Sequence, residues 1–387
     1  MIKNQPLAKI QLLTISLLSI LLLAACSDEK APSRSPLKGL SDSVGSFDKP
    51  TKSHVITFPQ AHAPHKTFQQ EWWYLTANLR TESGQSLAAQ WTLFRRAVED
   101  KHWYFAHAAL ADAEQHQSAF RSAREELGNV VINTQPFHAQ IDDWQWQSRQ
   151  GLLPAKLRYG NFTGTKAHQS PDELSKQVPL LPKKQQQWQV NLDLNVDAAL
   201  TEKAHYFLQG DNGFSQKHGS LAIASHYYSQ PFIKVSGEVF WQNQWQKVTG
   251  DAWFDREWGS QMLAEDQQGW DWFSLRLNAN TALMVYRIRS NEQDFLYGSI
   301  MRRDGSIKTL TAKDIILTQL NNTRSNESSA YPELFLIGIA EENIDIEVSV
   351  INTKQIMRFG IEYFEGMVTF SGSHQGQGFL EMTGYVP

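Results

Sequence analysis

Trp253-Phe254-Asp255-Arg256-Glu257-Trp258 sets two carboxylates among aromatic side chains at a spacing of two. In an extended strand side chains alternate between faces, so Trp253, Asp255 and Glu257 share one face and Phe254, Arg256 and Trp258 the other. Arg256 therefore cannot simply neutralise either acid. Two acids against indole and phenyl surface raise one another's pKa, which suits a proton donor in an apolar pocket; the same pattern also fits acids at a wet barrel rim. Glu71-Trp72-Trp73-Tyr74 repeats the theme, with Glu71 and Trp73 on one face and Trp72 and Tyr74 on the other. A buried Glu71 needs a partner, which Arg95, Arg96 or His107 can supply, and the result serves either a structural ion pair or a ligand site. In His226-Tyr227-Tyr228, His226 and Tyr228 share a strand face, and both can hold a water or donate a proton.

Other common chemistries lack their signatures. The sequence has no Gly-x-Ser-x-Gly elbow, no Walker loop and no His-Glu-x-x-His helix. His62-Ala63-Pro64-His65 has the look of a metal pair, but a proline between the histidines and no third ligand nearby argue against metal. Gly376-Gln377-Gly378 lacks a third glycine and a following helix, and reads as a tight turn before a final strand over residues 379–385. No cofactor and no metal are expected.

The elements that must position these residues are short strands. Residues 71–80 and 86–95 alternate around a turn at Ser83-Gly84, and residues 234–241 and 245–253 do so around Gln242-Asn243-Gln244. Residues 270–277, 282–289, 295–302 and 306–310 continue as a meander, whereas helical periodicity is scarce, with residues 118–127 the best candidate. Such spacing indicates antiparallel sandwiches or barrels. Glu71-Trp72 followed by Gln90-Trp91 is echoed by Glu257-Trp258 followed by Asp271-Trp272, which indicates a duplicated β domain. The expected division is a signal peptide (1–25), a flexible tether (26–53), and two domains over 54–235 and 236–387. Two polar stretches, 163–187 and 319–332, read as long loops or insertions.

The first 26 residues bear on the compartment. Lys3 and Lys9 precede an apolar core over 12–25, and Leu23-Ala24-Ala25-Cys26 has the small-residue character of an export cleavage site. It also resembles the bacterial lipoprotein box, in which Cys26 is the lipidated first residue; Ser27 after it favours the outer membrane, facing the periplasm. Cys26 is the only cysteine, so the mature chain holds no disulfide, thiol nucleophile or cysteine metal site. Removing residues 1–25 moves the formal net charge from −4 to −6 because two lysines leave, and with no basic run this excludes a nucleic-acid partner.

Glu71-Trp-Trp-Tyr, the segment at 253–258, Gly269-Trp-Asp-Trp-Phe and Glu381-Met-Thr-Gly-Tyr385 stand in this order, and through them the chain resembles the carotenoid 1,2-hydratase and AttH-like family. The resemblance implies an all-β fold of two tandem lipocalin-like antiparallel β-barrels with an apolar ligand site near their junction. It also implies Asp255 as an acid and His226 as the water-orienting or proton-relay partner, with Trp253 and Tyr228 lining a cationic intermediate. Glu257, Glu71, Trp73 and Trp272 complete the candidate ligand-binding set. The leading expectation is a periplasm-facing lipoprotein that binds a hydrophobic lipid or isoprenoid between its two domains, with an ABC transport system as a possible partner. The alternative is a cofactor-independent hydratase or hydrolase-like enzyme that uses Asp255 as general acid.

Overall fold

The computed structural model describes residues 46–161, 187–198, 200, 205–320 and 331–385. The signal peptide, Cys26, most of the tether and most of both polar loops lie outside the described residues. Within them the chain is built almost wholly of antiparallel strands, interrupted by short 3-10 turns.

Two sheets form, of thirteen and ten strands among the described residues. The first begins as a four-stranded meander over residues 70–124, and its first strand, Gln70–Thr81, pairs on its other edge with Gln244–Gly259. The second repeats the plan: a meander over residues 267–311 whose first strand, Gln267–Asn278, pairs with the last strand, Gly376–Thr383. Each sheet curls around its own apolar core, one centred on Trp73, Trp91, Trp146 and Phe254, the other on Phe273, Phe335, Ile337 and Phe364. A third apolar cluster, with Tyr74, Tyr227 and Trp253 from one sheet and Trp272, Tyr286 and Phe379 from the other, joins them. The tandem lipocalin-like architecture follows from a period-two pattern whose strands are apolar on both faces, one face for the barrel and one for the junction.

The hairpins fall where turn chemistry dictates. Gly84 takes φ +89 between the first two strands, and Gln242 and Asn243 both take positive φ (52 and 65) in the two-residue connection between Ala224–Trp241 and Gln244–Gly259. Four expectations need correction. Residues 118–127 form no α-helix: His116–Arg124 is a strand paired with Lys101–Ala111, because an available ladder edge overrides a weak helical preference, and only Glu125–Leu127 takes a short 3-10 turn. Gly376-Gln377-Gly378 is not a turn but the start of the last strand, and a Cβ on Gly378 would lie 2.2 Å from the Ser274 carbonyl oxygen. The hairpin at 234–253 belongs to the first sheet, so the change of sheet falls between Gly259 and Gln267 rather than near residue 235. Finally, Glu71-Trp72 and Glu257-Trp258 are not equivalent positions of a repeat but direct neighbours, Glu71 opposite Trp258 and Trp72 opposite Glu257. The duplication lies in the strand order instead, and sets Trp72-Trp73-Tyr74-Leu75 against Trp270-Asp271-Trp272-Phe273.

Each barrel also buries an acid between two arginines. Glu71 is held by Arg95 and Arg256, and Asp271 by Arg287 (2.6 Å) and Arg289 (2.5 Å) with the Tyr385 hydroxyl donating to it at 2.8 Å. Both carboxylates are fully engaged by their arginines, so both ion networks belong to the frame.

Candidate functional site

The register between Ala224–Trp241 and Gln244–Gly259 decides which residues meet. Asp255 lies opposite Ser229, Glu257 opposite Tyr227 and Trp258 opposite His226. Trp253, Asp255 and Glu257 therefore share the junction face with Tyr227 and Ser229. Phe254, Arg256 and Trp258 share the barrel-interior face with His226 and Tyr228.

That division splits the candidates. Asp255, Glu257 and Trp272 come together around one cavity of about 660 Å³ lined by both sheets, with Glu71 at its edge and Trp253 packed behind Asp255 and Trp272. Tyr228, Trp73 and the Glu71 carboxylate are turned into the first barrel, where Tyr228 accepts or donates a 2.6 Å hydrogen bond with His62 and Trp73 donates to the His62 carbonyl. His226 stacks near His54 and Trp258 on that side. The expected Asp255–His226 partnership is thus absent: the two stand on opposite faces of one sheet. A bulge causes this. Pro231 and Phe232 together oppose the single residue Trp253, and the extra residue shifts the pairing by one, turning every side chain from Gln230 back to Ala224 over to the other face. Without the bulge Asp255 would lie opposite Gln230, with Tyr228 and His226 on its own face.

The Asp255 carboxyl is satisfied but dry. The Ser229 hydroxyl donates to one oxygen and the Trp253 indole N–H to the other at 3.0 Å, and the side chain is 3% exposed. Burial pushes it up to about 7; the Ser229 and Trp253 hydrogen bonds oppose that rise and the nearby Glu257 charge adds to it. Glu257 itself is paired with Lys217 at 2.5 Å and accepts from the Ser225 hydroxyl. Lys217 also lies over the rings of Tyr227 (5.1 Å) and Tyr286 (4.7 Å). Trp272 meets Trp253 and Tyr74 edge to face, at 6.2 and 5.3 Å, and donates weakly to the Tyr227 hydroxyl at 3.4 Å. A proton-bearing carboxyl in a wall of aromatic faces is the outcome.

Residues 49–385, most of the chain, match the AttH-like family. The chain belongs to the AttH-like family. An AttH crystal structure from Nitrosomonas europaea superposes with a TM-score of 0.71 at 27% identity, covering 88% of this chain and all of that one. Kievitone hydratase from Nectria haematococca superposes at 0.58 with 14% identity, over 89% of this chain and 96% of that one, which shows a shared fold. No curated protein matches the chain by sequence.

Sequence reading missed half of this AttH-like cavity. Lys217 and Tyr227 line it and Ser229 bonds Asp255; the bulge turns Tyr227 and Ser229 to this face, and the proline at 231 within a strand is the available signal. The second sheet brings Glu365 and Glu381, directly opposite one another, with the Trp270 indole donating to Glu381 at 2.7 Å. In strand order Glu381 is the counterpart of Asp255: Tyr74 lies opposite Asp255 in the first sheet and Trp272 opposite Glu381 in the second. His62 and His65 turn to different partners: His62 bonds the Tyr228 hydroxyl at 2.6 Å, whereas His65 stacks on Trp258 at 3.9 Å and bonds Glu71; no group of three metal-ligating side chains occurs among the described residues.

Proposed function

We propose that this AttH-like protein binds an apolar isoprenoid or lipid in the cavity between its two sheets, and that Asp255 acts on it as a general acid to add water across a carbon–carbon double bond. One observation carries the reading: a carboxyl held up to about 7 by burial, fixed by Ser229 and Trp253, in the wall of an aromatic cavity. A carboxyl that is largely neutral near pH 7 can protonate an unactivated alkene carbon. The Asp255 O–H bond breaks, a C–H bond forms at the less substituted carbon, and the positive charge develops at the more substituted one. The faces of Trp272, Tyr227 and Tyr74 stabilise that cation. A water then forms the C–O bond and returns its proton to the Asp255 carboxylate, so the step closes without any cofactor; run backwards it is a dehydration. Tyr227, pushed well above the ordinary phenol range by burial and by the charges of Asp255 and Glu257, stays a neutral hydroxyl able to position that water.

A volume of about 660 Å³ falls within the usual range of small-molecule sites, roughly 300–1,000 Å³. Gentle purification followed by organic extraction and mass spectrometry is expected to recover an apolar molecule. Incubation of that molecule in isotopically labelled water is expected to place the label in a new hydroxyl. Recovery of nothing apolar counts against the whole reading; recovery without label uptake leaves a carrier.

The carrier reading is favoured by the N-terminal 26 residues, which support lipidation at Cys26 and an outer-membrane site facing the periplasm, and by the AttH-like family, which supports an ABC transport system as partner. Cys26→Ser is expected to move the protein from the membrane fraction to the soluble periplasm or to leave an uncleaved precursor, as read by fractionation and immunoblot. Unchanged membrane partition would sink the anchor.

A further inference from the structure

Glu365 and Glu381 stand directly opposite each other on the Ile361–Gly372 and Gly376–Thr383 strands, so their side chains share the junction face. Glu365 is 2% exposed, and the groups that favour its ionised form are the Tyr74 and Tyr363 hydroxyls, neither of them a cation. A buried polar atom on the cavity wall, Nε2 of His107, has no partner. His107 Nδ1 is bonded to the Tyr363 hydroxyl at 2.7 Å.

The second-sheet end of the cavity therefore sets two carboxyls side by side with no cation to answer them. The titratable groups that act on the two carboxyls are Tyr74, Tyr363, Glu257 and the carboxyls themselves. Lys217 is engaged by Glu257, and Arg287 and Arg289 by Asp271. Burial pushes Glu381 up to about 7, and burial together with the Glu381 charge pushes Glu365 well above the usual carboxylate range, so the empty pair holds protons in place of a counter-charge.

We propose that the Glu365–Glu381 pair, framed by Tyr74, Tyr363, Trp270 and Trp272, is a subsite for a protonated amine carried by the apolar ligand. An ammonium group has three donors and no acceptor, and the two carboxyls offer it acceptors. The rings of Tyr74, Trp270 and Trp272 supply faces of the sort that attract such cations. The apolar body then extends along the cavity towards Asp255. This subsite rests on the cavity being a ligand site, as argued above.

Calorimetric titration of the full chain with decylamine and with decan-1-ol at pH 7 separates the two ideas. The amine is expected to bind about tenfold or more tightly than the alcohol, the gain typical of a charge-assisted hydrogen bond. Its heat is expected to change with the ionisation enthalpy of the buffer, because the carboxyls release protons as the cation enters. Glu381→Gln and Glu365→Gln are each expected to erase the preference while keeping the affinity for the alcohol. Equal binding of the two probes without buffer dependence overturns the subsite and leaves the apolar cavity standing. Binding of neither overturns both, and an amine preference that survives both substitutions assigns it to the acidic surface and overturns the proposal.

Discussion

Glu71→Gln is expected to destabilise the protein by on the order of 3–5 kcal/mol, the range seen when one partner of a buried ion network is removed. Glu71 is fully buried and holds two buried guanidinium groups, those of Arg95 and Arg256, and also receives the His65 backbone N–H on both oxygens at 3.0 Å. The arginines cannot escape. Arg256 lies 3.8 Å over the Trp73 ring and donates to the Ala63 carbonyl, while Arg95 donates to the carbonyls of His65 and Phe68. Glutamine keeps the shape and leaves two positive charges uncompensated in the first barrel. Burial alone would raise the Glu71 carboxyl, but Arg256, His65 and Arg95 outweigh it and hold the group well below the usual range. A depressed carboxyl contributes stability that is present above its unfolded pKa and lost as pH falls through the folded one. The gap between wild type and Glu71→Gln in urea denaturation is therefore expected to be full at pH 7 and to narrow only in strong acid. A gap below about 1 kcal/mol, the value of an exposed pair, would remove the network from the account of the fold.

What the sequence disclosed and what it withheld divide along one physical line. Strand existence and the turns at Gly84 and Asn243 are local properties, carried by alternation and by residues that accept positive φ, and they stood in the sequence. The alternation within 253–258 is equally local, and Asp255 and Glu257 do lie on one face, away from Arg256. Pairing across strands is not local. The family resemblance implies His226 as the partner of Asp255, and one extra residue at Pro231-Phe232 sets the whole segment before it on the opposite face. Arg95 was named among the partners for Glu71, but Arg256 was not, because nothing in a single strand shows that residues 71 and 256 flank the same barrel interior. Glu365 escaped notice for a different reason. It sits alone among apolar residues, and only the ladder that sets it opposite Glu381 makes it one of a pair.

Asp255→Asn is expected to lower turnover by about two to four orders of magnitude, the contribution typical of a positioned proton donor, while ligand affinity stays nearly unchanged. Asparagine preserves the volume and can still accept from Ser229 or Trp253, so the cavity keeps its shape and loses only the transferable proton. The wild-type rate is expected to fall as pH rises through about 7, where burial places the carboxyl's titration. Stability supplies an independent readout that needs no substrate. The folded carboxyl, raised from 3.8 to about 7, binds its proton more tightly than the unfolded one. Its contribution is complete below about pH 4 and is lost as pH rises through 7, at about 1.4 kcal/mol per pH unit, on the order of 4 kcal/mol in all. The Asn variant has no such loss. Glu365 and Glu381 titrate in both proteins, so subtracting the two curves isolates residue 255. Urea denaturation at pH 4, 6 and 8 is expected to show the variant level with wild type or weaker at the acid end and more stable at the alkaline end. Parallel curves would mean that Asp255 is ionised in the folded protein at neutral pH, and a proton donor would have to be sought elsewhere on the cavity wall.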